Sequence, residues 1–403
     1  MSAAIPVPPF APGPRLSGGG FLSVPGTSGG VAAADVKGNG KVRPDIAVFV
    51  APGVGAAVTT RSTAAAASCL WTRARVPGPV HAVVVNAGNA NAATGQQGVS
   101  DNAAMAEAVA ETLGCETDAV LVCSTGVIGV PMPMDRVIPG VRTAAGSLVA
   151  TGDALADAIR TTDLVPKQSA AVRGGITVGG VAKGSGMIHP GMATMLCFLA
   201  TDARVDPVDL QQLVGAVADR TFNQISVDGD MSTSDTFILQ STGLGPEARP
   251  GTPAWAALEE ALLAVAGDLA MAIARDGEGA TCLITCTVEG GPDDETARRA
   301  ARAVCGSSLV KAAVHGRDAN WGRVVGALGQ AGLPGLDALD VDFAGTPVLR
   351  GGRPLPFDEA AVTAALQAPD VSIACRVPGS GSGRAWGCDL SAEYVRINAD
   401  YRS

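Results

Sequence analysis

The chain has 403 residues, enough for a large core, and 47% are hydrophobic but only 3% aromatic, so Ala, Val, Leu and Ile must build that core. A net charge of −9 argues against a nucleic-acid surface, which needs clustered Lys and Arg. Three histidines, and nine scattered cysteines without a CxxC pair, argue against a metal site and point to a reducing, cytoplasmic location.

The amino terminus, "MSAAIPVPPFAPGPRLSGGG", lacks a basic start followed by an apolar run, and its prolines oppose a helix; it reads as an untargeted, mobile tail over residues 1–20. Short apolar runs rich in β-branched residues then predict strands at "HAVVVN" (81–86), "AVLVC" (119–123), "MLCFLA" (195–200), "TFILQS" (236–241), "ATCLITCTVEG" (280–290) and "EYVRINADY" (393–401). Between them, Asp206-Pro207 and Thr252-Pro253 each set a capping side chain before a first-turn proline and predict two helices. Gly277 is placed to end the second. That helix is the most apolar stretch of the chain, yet it carries Glu259, Glu260 and Asp268. No run reaches the roughly 18 uninterrupted apolar residues of a membrane span. The pattern is that of an α/β protein.

Several segments resemble motifs without satisfying them. "KGSG" (183–186) has the wrong glycine spacing for a phosphate loop. "DGDMSTSD" (228–235) puts Thr233 where a calcium loop needs glycine and Leu239 where it needs glutamate, so Asp228, Asp230 and Asp235 read as the frame of a polar turn. "PGSGSGRAWG" (378–387) reads as a flexible hairpin loop, Cys282 and Cys286 as core packing, and Arg317, Asp318 and Asn320 as caps of the helix that continues as "WGRVVGALGQAG".

The segment "VAKGSGMIHPGMATMLCFLATD" (181–202) poses a sharper question, because Thr194 stands between a glycine-rich loop and a buried strand. It can simply open the strand. It can also be a nucleophile: attack of its hydroxyl on the carbonyl of Ala193 would cut the chain and free the Thr194 α-amine, with pKa near ~8, as a built-in base. Spacing alone leaves both readings open.

Beyond this segment, "NAGNANAATGQQG" (86–98), "CSTGVIGVPMPMD" (123–135), "RTTD" (160–163), "NQISVDGDMSTSDT" (223–236), "RDGEGAT" (275–281), "GRDANWGR" (316–323) and "YVRINADYRS" (394–403) occur in one order along the chain. Together with "VAKGSGMIHPGMATML" they resemble the blocks of the ornithine acetyltransferase (glutamate N-acetyltransferase) family of arginine biosynthesis. The resemblance implies a layered α/β sandwich that cleaves itself into interlocked chains, an α chain of residues 1–193 and a β chain of residues 194–403, assembled as two α and two β chains. It implies cleavage between Ala193 and Thr194, Thr194 as nucleophile, and Thr125 and Gly126 (segment 123–129) as the oxyanion hole. Thr161, Lys183, Thr194, Glu278, Asn398 and Ser403 would bind substrate, Lys183 suiting a carboxylate and Glu278 an ammonium group.

The implied reaction moves an acetyl group from N-acetylornithine to glutamate, releasing ornithine, with no metal or organic cofactor. Bifunctional members also take acetyl-CoA as donor. The chain departs from the family's common pattern at Gly191, Ala87 and Ala93 and through residues 55–68. Two alternatives are a self-processing aminopeptidase of related fold and an uncleaved binding paralogue.

Overall fold

The computed structural model describes residues 20–40, 43–189 and 195–400. The expected tail therefore lies outside the described residues except for Gly20, as do Ala193, Thr194 and Ser403. In chain order the strands are β1 (Ser28–Ala32), β2 (Ile46–Thr59), β3 (Gly78–Asn89), β4 (Val120–Val127), β5 (Lys167–Arg173), β6 (Ile176–Lys183), β7 (Leu196–Thr201), β8 (Ile225–Ser226), β9 (Thr236–Ser241), β10 (Leu283–Gly291), β11 (Asp340–Phe343), β12 (Thr346–Arg350), β13 (Arg353–Pro354), β14 (Asp370–Gly379) and β15 (Ser382–Cys388). Each run predicted as a strand up to residue 290 lies on one of them.

These strands make two mixed sheets, ordered β4-β3-β2-β9-β7-β6-β5 (with β1 on β2) and β13-β12-β11-β14-β10-β15-β8. Helices Pro207–Arg220 and Pro253–Arg275 lie between them. Leu210, Val217, Leu262 and Leu269 of those helices share one apolar cluster with Leu199 and Phe237 of the first sheet and Leu283 and Trp386 of the second. Helix Asp294–Gly306 and its successors cover the outer face of the second sheet, in the cluster that also takes up Cys282 and Cys286. Among the described residues no helix is long and apolar enough to cross a membrane.

Both predicted caps form. Asp206 accepts from the Val208 N–H at 2.9 Å and Thr252 from the Trp255 N–H at 3.2 Å. Asn320 caps helix Trp321–Gln330 through the Arg323 N–H at 3.2 Å. Gly277 is the first residue past the C-cap Asp276 of the helix that stops at Arg275, and a side chain there would meet Cys388 Sγ at 2.7 Å, so glycine also serves close packing.

Two expectations fail. Residues Ala392–Asp400 form a helix, not a strand, anchored where Ser391 Oγ donates to the Gly279 carbonyl at 2.6 Å. The glycine-rich segment 378–387 is not a hairpin loop: β14 and β15 lie on opposite sides of β10, and most of the segment is β15. A Cβ at Gly383 would come 2.3 Å from the backbone of Ala297 and Arg298, so its glycine lets helix Asp294–Gly306 sit directly on the strand.

Strand β7 is buried throughout. Phe198 stacks on Phe49 at 4.7 Å on one face, while Cys197 and Leu199 join the inter-sheet cluster on the other. Together with β9 it lies after residue 194 in sequence, yet the two strands insert between β2 and β6, which precede it. Segments from the two sides of residue 194 thus share one sheet. Lys183, the last residue of β6, pairs with Leu196, the first of β7, so the chain leaves and re-enters the sheet side by side.

Candidate active site

The cavity at this end of the first sheet is lined by Thr125, Gly126, Thr161, Lys183, Glu278 and Asn398. These are all the predicted site residues that are described, brought together from β4, β6, two loops and the carboxyl-terminal helix. Ala193, Thr194 and Ser403 lie outside the described residues.

Thr125 and Gly126 stand at the end of β4, which runs parallel to β3. Gly126 has φ +134°, and a Cβ there would lie 2.2 Å from the Gly88 carbonyl carbon, so only glycine fits against that strand. The Lys183 ammonium donates to Thr125 Oγ1 at 3.3 Å. With that lone pair occupied by a donor, the Thr125 hydroxyl hydrogen is free to point elsewhere.

Lys183 is fully buried. Burial, first, pulls its ammonium below the ordinary lysine value; Asp163, Asp235 and Glu278 oppose this, and Lys167 adds to it. Asp163 Oδ1 accepts from Lys167 Nζ at 2.7 Å and from the Gly184 N–H at 2.6 Å, and Oδ2 accepts from the Thr161 N–H at 3.2 Å. Burial alone would raise this carboxyl, but Lys183, Lys167 and those donors outweigh it and lower it to about 2. Lys167 also donates to Asp276 Oδ2 at 2.6 Å, tying β5 to the end of helix Pro253–Arg275.

Glu278 follows that helix end. Its N–H donates to the Ser185 carbonyl at 2.9 Å, and its Oε2 accepts from Asn398 Nδ2 at 2.8 Å. A Cβ at Gly186 would lie 2.4 Å from the Glu278 carboxylate, so that glycine makes room for it.

Residues 227–235, between β8 and β9, grip both flanks of the 190–194 segment. Asp228 accepts from the Met187 N–H at 2.5 Å and the Ile188 N–H at 2.8 Å, holding Met187 at its left-handed φ of +56°. Asp235 Oδ1 accepts from the Met195 N–H at 2.9 Å. His189 Nδ1 faces Ser226 Oγ at 3.2 Å, and burial followed by Arg302 lowers its pKa. Among the described residues no group of His, Cys, Asp and Glu is placed to hold a metal ion.

Sequence reasoning did not single out Lys167 or Asp276, nor the cavity-lining Ser232, Thr233 and Ser234. The run "STS" of three small hydroxyl residues was the available signal for the latter. A buried lysine bridging two carboxylates leaves no local trace.

The sequence profile described as "ArgJ family" matches residues 28–403. The chain belongs to the ArgJ family. It is 48% identical over 399 residues to the arginine biosynthesis bifunctional protein ArgJ of Symbiobacterium thermophilum, covering 96% of this chain and 99% of that one. Against the ArgJ of Thermus thermophilus the identity is 45% over 383 residues, 93% of this chain and 98% of the relative. A crystal structure of the Bacillus halodurans ArgJ is similar at 42% identity and a TM-score of 0.50, covering 51% of this chain and 98% of the solved one. ArgJ membership makes the chain an enzyme and matches the α/β class and family implied by the sequence.

Proposed function

We propose that the chain cuts itself between Ala193 and Thr194 and then carries acetyl groups on Thr194 Oγ from N-acetylornithine to glutamate. The observation that carries this reading is the convergence of Thr125, Gly126, Lys183 and Glu278 on one cavity beside the end of β6 and the start of β7, in a chain of the ArgJ family. The half-length match to the solved Bacillus halodurans chain is what a chain already divided in two would give.

In the transfer, Thr194 Oγ attacks the acetyl carbonyl while its proton passes to the Thr194 α-amine. The developing oxyanion accepts from the Thr125 hydroxyl and the Gly126 N–H, donors fixed before charge appears. Collapse breaks the amide C–N bond, the α-amine returns the proton to the departing ornithine nitrogen, and acetyl-Thr194 remains. The glutamate amine then attacks this ester, its proton goes to the α-amine, and Oγ leaves and is reprotonated. The Lys183 cation favours the neutral form of the α-amine and faces a substrate carboxylate. Glu278 pairs with a substrate ammonium, and Thr161, Asn398 and Ser403 add polar contacts. We assign no metal or organic cofactor to these steps.

The relatives' names read "bifunctional", which supports acetyl-CoA as a second acetyl donor. We place the enzyme in the cytoplasm as two α chains (1–193) and two β chains (194–403), interlocked through β7 and β9; native mass spectrometry giving four chains checks the assembly. The reaction is tested by supplying acetyl-labelled N-acetylornithine and glutamate. Labelled N-acetylglutamate is expected. Labelled acetate without it would assign a hydrolase, and no release at all a binding paralogue. Thr194→Ala is expected to give one uncut chain without transfer.

A further inference from the structure

The amine that serves as base during acetyl transfer does not exist before the chain is cut. Until then the Thr194 nitrogen is an amide and accepts no proton. The first event, attack of Thr194 Oγ on Ala193, therefore needs another acceptor, and the groups around the site can be compared. Asp228 and Asp163 each have both oxygens occupied by donors. Glu278 is engaged by Asn398 and packed on Gly186. Lys183 donates to Thr125, and His189 faces Ser226.

Asp235 differs. It is wholly buried, one oxygen accepts from the Met195 N–H, and the other has no hydrogen-bond partner among the described residues. An orphaned carboxylate oxygen in a protein interior calls for an explanation. The Met195 nitrogen is bonded to Thr194, whose side-chain oxygen is only a few covalent bonds away, a reach on the order of 5 Å. Resting on the proposed self-cleavage, we propose that Asp235 is the general base that starts it.

The charged and titratable groups facing Asp235 are Lys183 from β6 and the Cys69 thiol, with Arg73 beyond Cys69. Burial raises the Asp235 carboxyl well above its ordinary value, while the Met195 N–H and Lys183 oppose the rise. A raised carboxyl is a stronger proton acceptor than a solvated one. Cys69 is itself pushed up to about 11, chiefly by burial, and does not compete.

The step balances within the chain. Asp235 takes the Thr194 hydroxyl proton as the Oγ–C bond to Ala193 forms. It gives that proton to the Thr194 nitrogen as the C–N bond breaks, leaving an ester and a free amine. Water then attacks the ester, one of its protons passes through the new amine to Oγ, and the Ala193 carboxylic acid so formed releases the other to solvent.

The test follows cutting of the full chain by pulse–chase in cell-free translation at several pH values. The wild type should be cut faster as pH rises through the Asp235 ionisation. Asp235→Asn keeps a carbonyl acceptor for the Met195 N–H, so D235N should melt no lower than uncut T194A yet be cut about 10²-fold more slowly or worse, without that pH limb. D235N cut at the wild-type rate, or slowly but with the wild-type limb, would overturn the assignment. Should D235N not fold, D235E decides: slower cutting with a displaced limb supports the base, and an unchanged rate and limb overturns it. A wild type that stays uncut at every pH would instead remove the proposed function, and this inference with it.

Discussion

Asp163 and Asp235 are both buried and both within the field of Lys183, yet their surroundings treat them oppositely. Asp163 takes three donors, one a second lysine, and is lowered to about 2. Asp235 takes one backbone donor to its side chain, leaves an oxygen unpaired, and is raised by burial. The comparison teaches that partner count, not burial, separates a carboxylate that holds the site together from one that can exchange a proton there. The first joins Thr161, Lys167 of β5 and Gly184 at the end of β6; the second accepts from Met195, the residue that follows the proposed nucleophile.

The hardest test of the comparison removes the cation common to both. Lys183→Met should abolish acetyl transfer by on the order of 10³-fold and lower stability by about 3–5 kcal/mol, because buried carboxylates lose a counter-charge. Steady-state kinetics and denaturant melts check both, and transfer within tenfold of wild type would detach Lys183 from the chemistry.

Next, Asp163→Asn should cost about 2–3 kcal/mol at neutral pH, the linkage value of a carboxyl near 2 when folded and near 4 when unfolded. For a depressed carboxyl the contribution is complete above the unfolded value and lost as pH falls through the folded one. Wild type and D163N should therefore converge in stability between about pH 4 and pH 2.

The sign reverses for Asp235. A carboxyl raised on folding loses stability as pH climbs above its unfolded value, so D235N in an uncut T194A background should melt higher than T194A at pH 8, with the gap closing in acid. Equal melting at all pH values would mean that Asp235 carries no buried charge.

The smallest effect is expected at the rim. Asn398 is exposed, lines the cavity and donates to Glu278, so Asn398→Ala should raise KM by about tenfold at most with kcat nearly unchanged.

How far the molecule could be read in advance follows the same division between local and distant causes. Strands such as Thr236–Ser241 and the capped starts at Asp206 and Thr252 were legible, because apolar, β-branched runs and capping act over a few residues. "EYVRIN" misled because Tyr, Val and Ile favour strands, while docking beside Gly279 and the Glu393–Arg396 pair hold a helix. The late glycines misled because their reason is the helix that packs on them. At the site, family resemblance pointed to Thr125, Gly126, Lys183 and Glu278, but nothing local reveals that Lys167 bridges Asp163 to Asp276, or that Asp228 and Asp235 flank one segment.

The central claim is that one hydroxyl first divides the chain and then carries the acetyl group. Intact-mass spectrometry of the purified protein after brief exposure to N-acetylornithine tests it directly. Two chains are predicted, the second beginning at Thr194 and heavier by one acetyl group at that residue. A single chain near 40.1 kDa, or an acetyl group on any other residue, would contradict it.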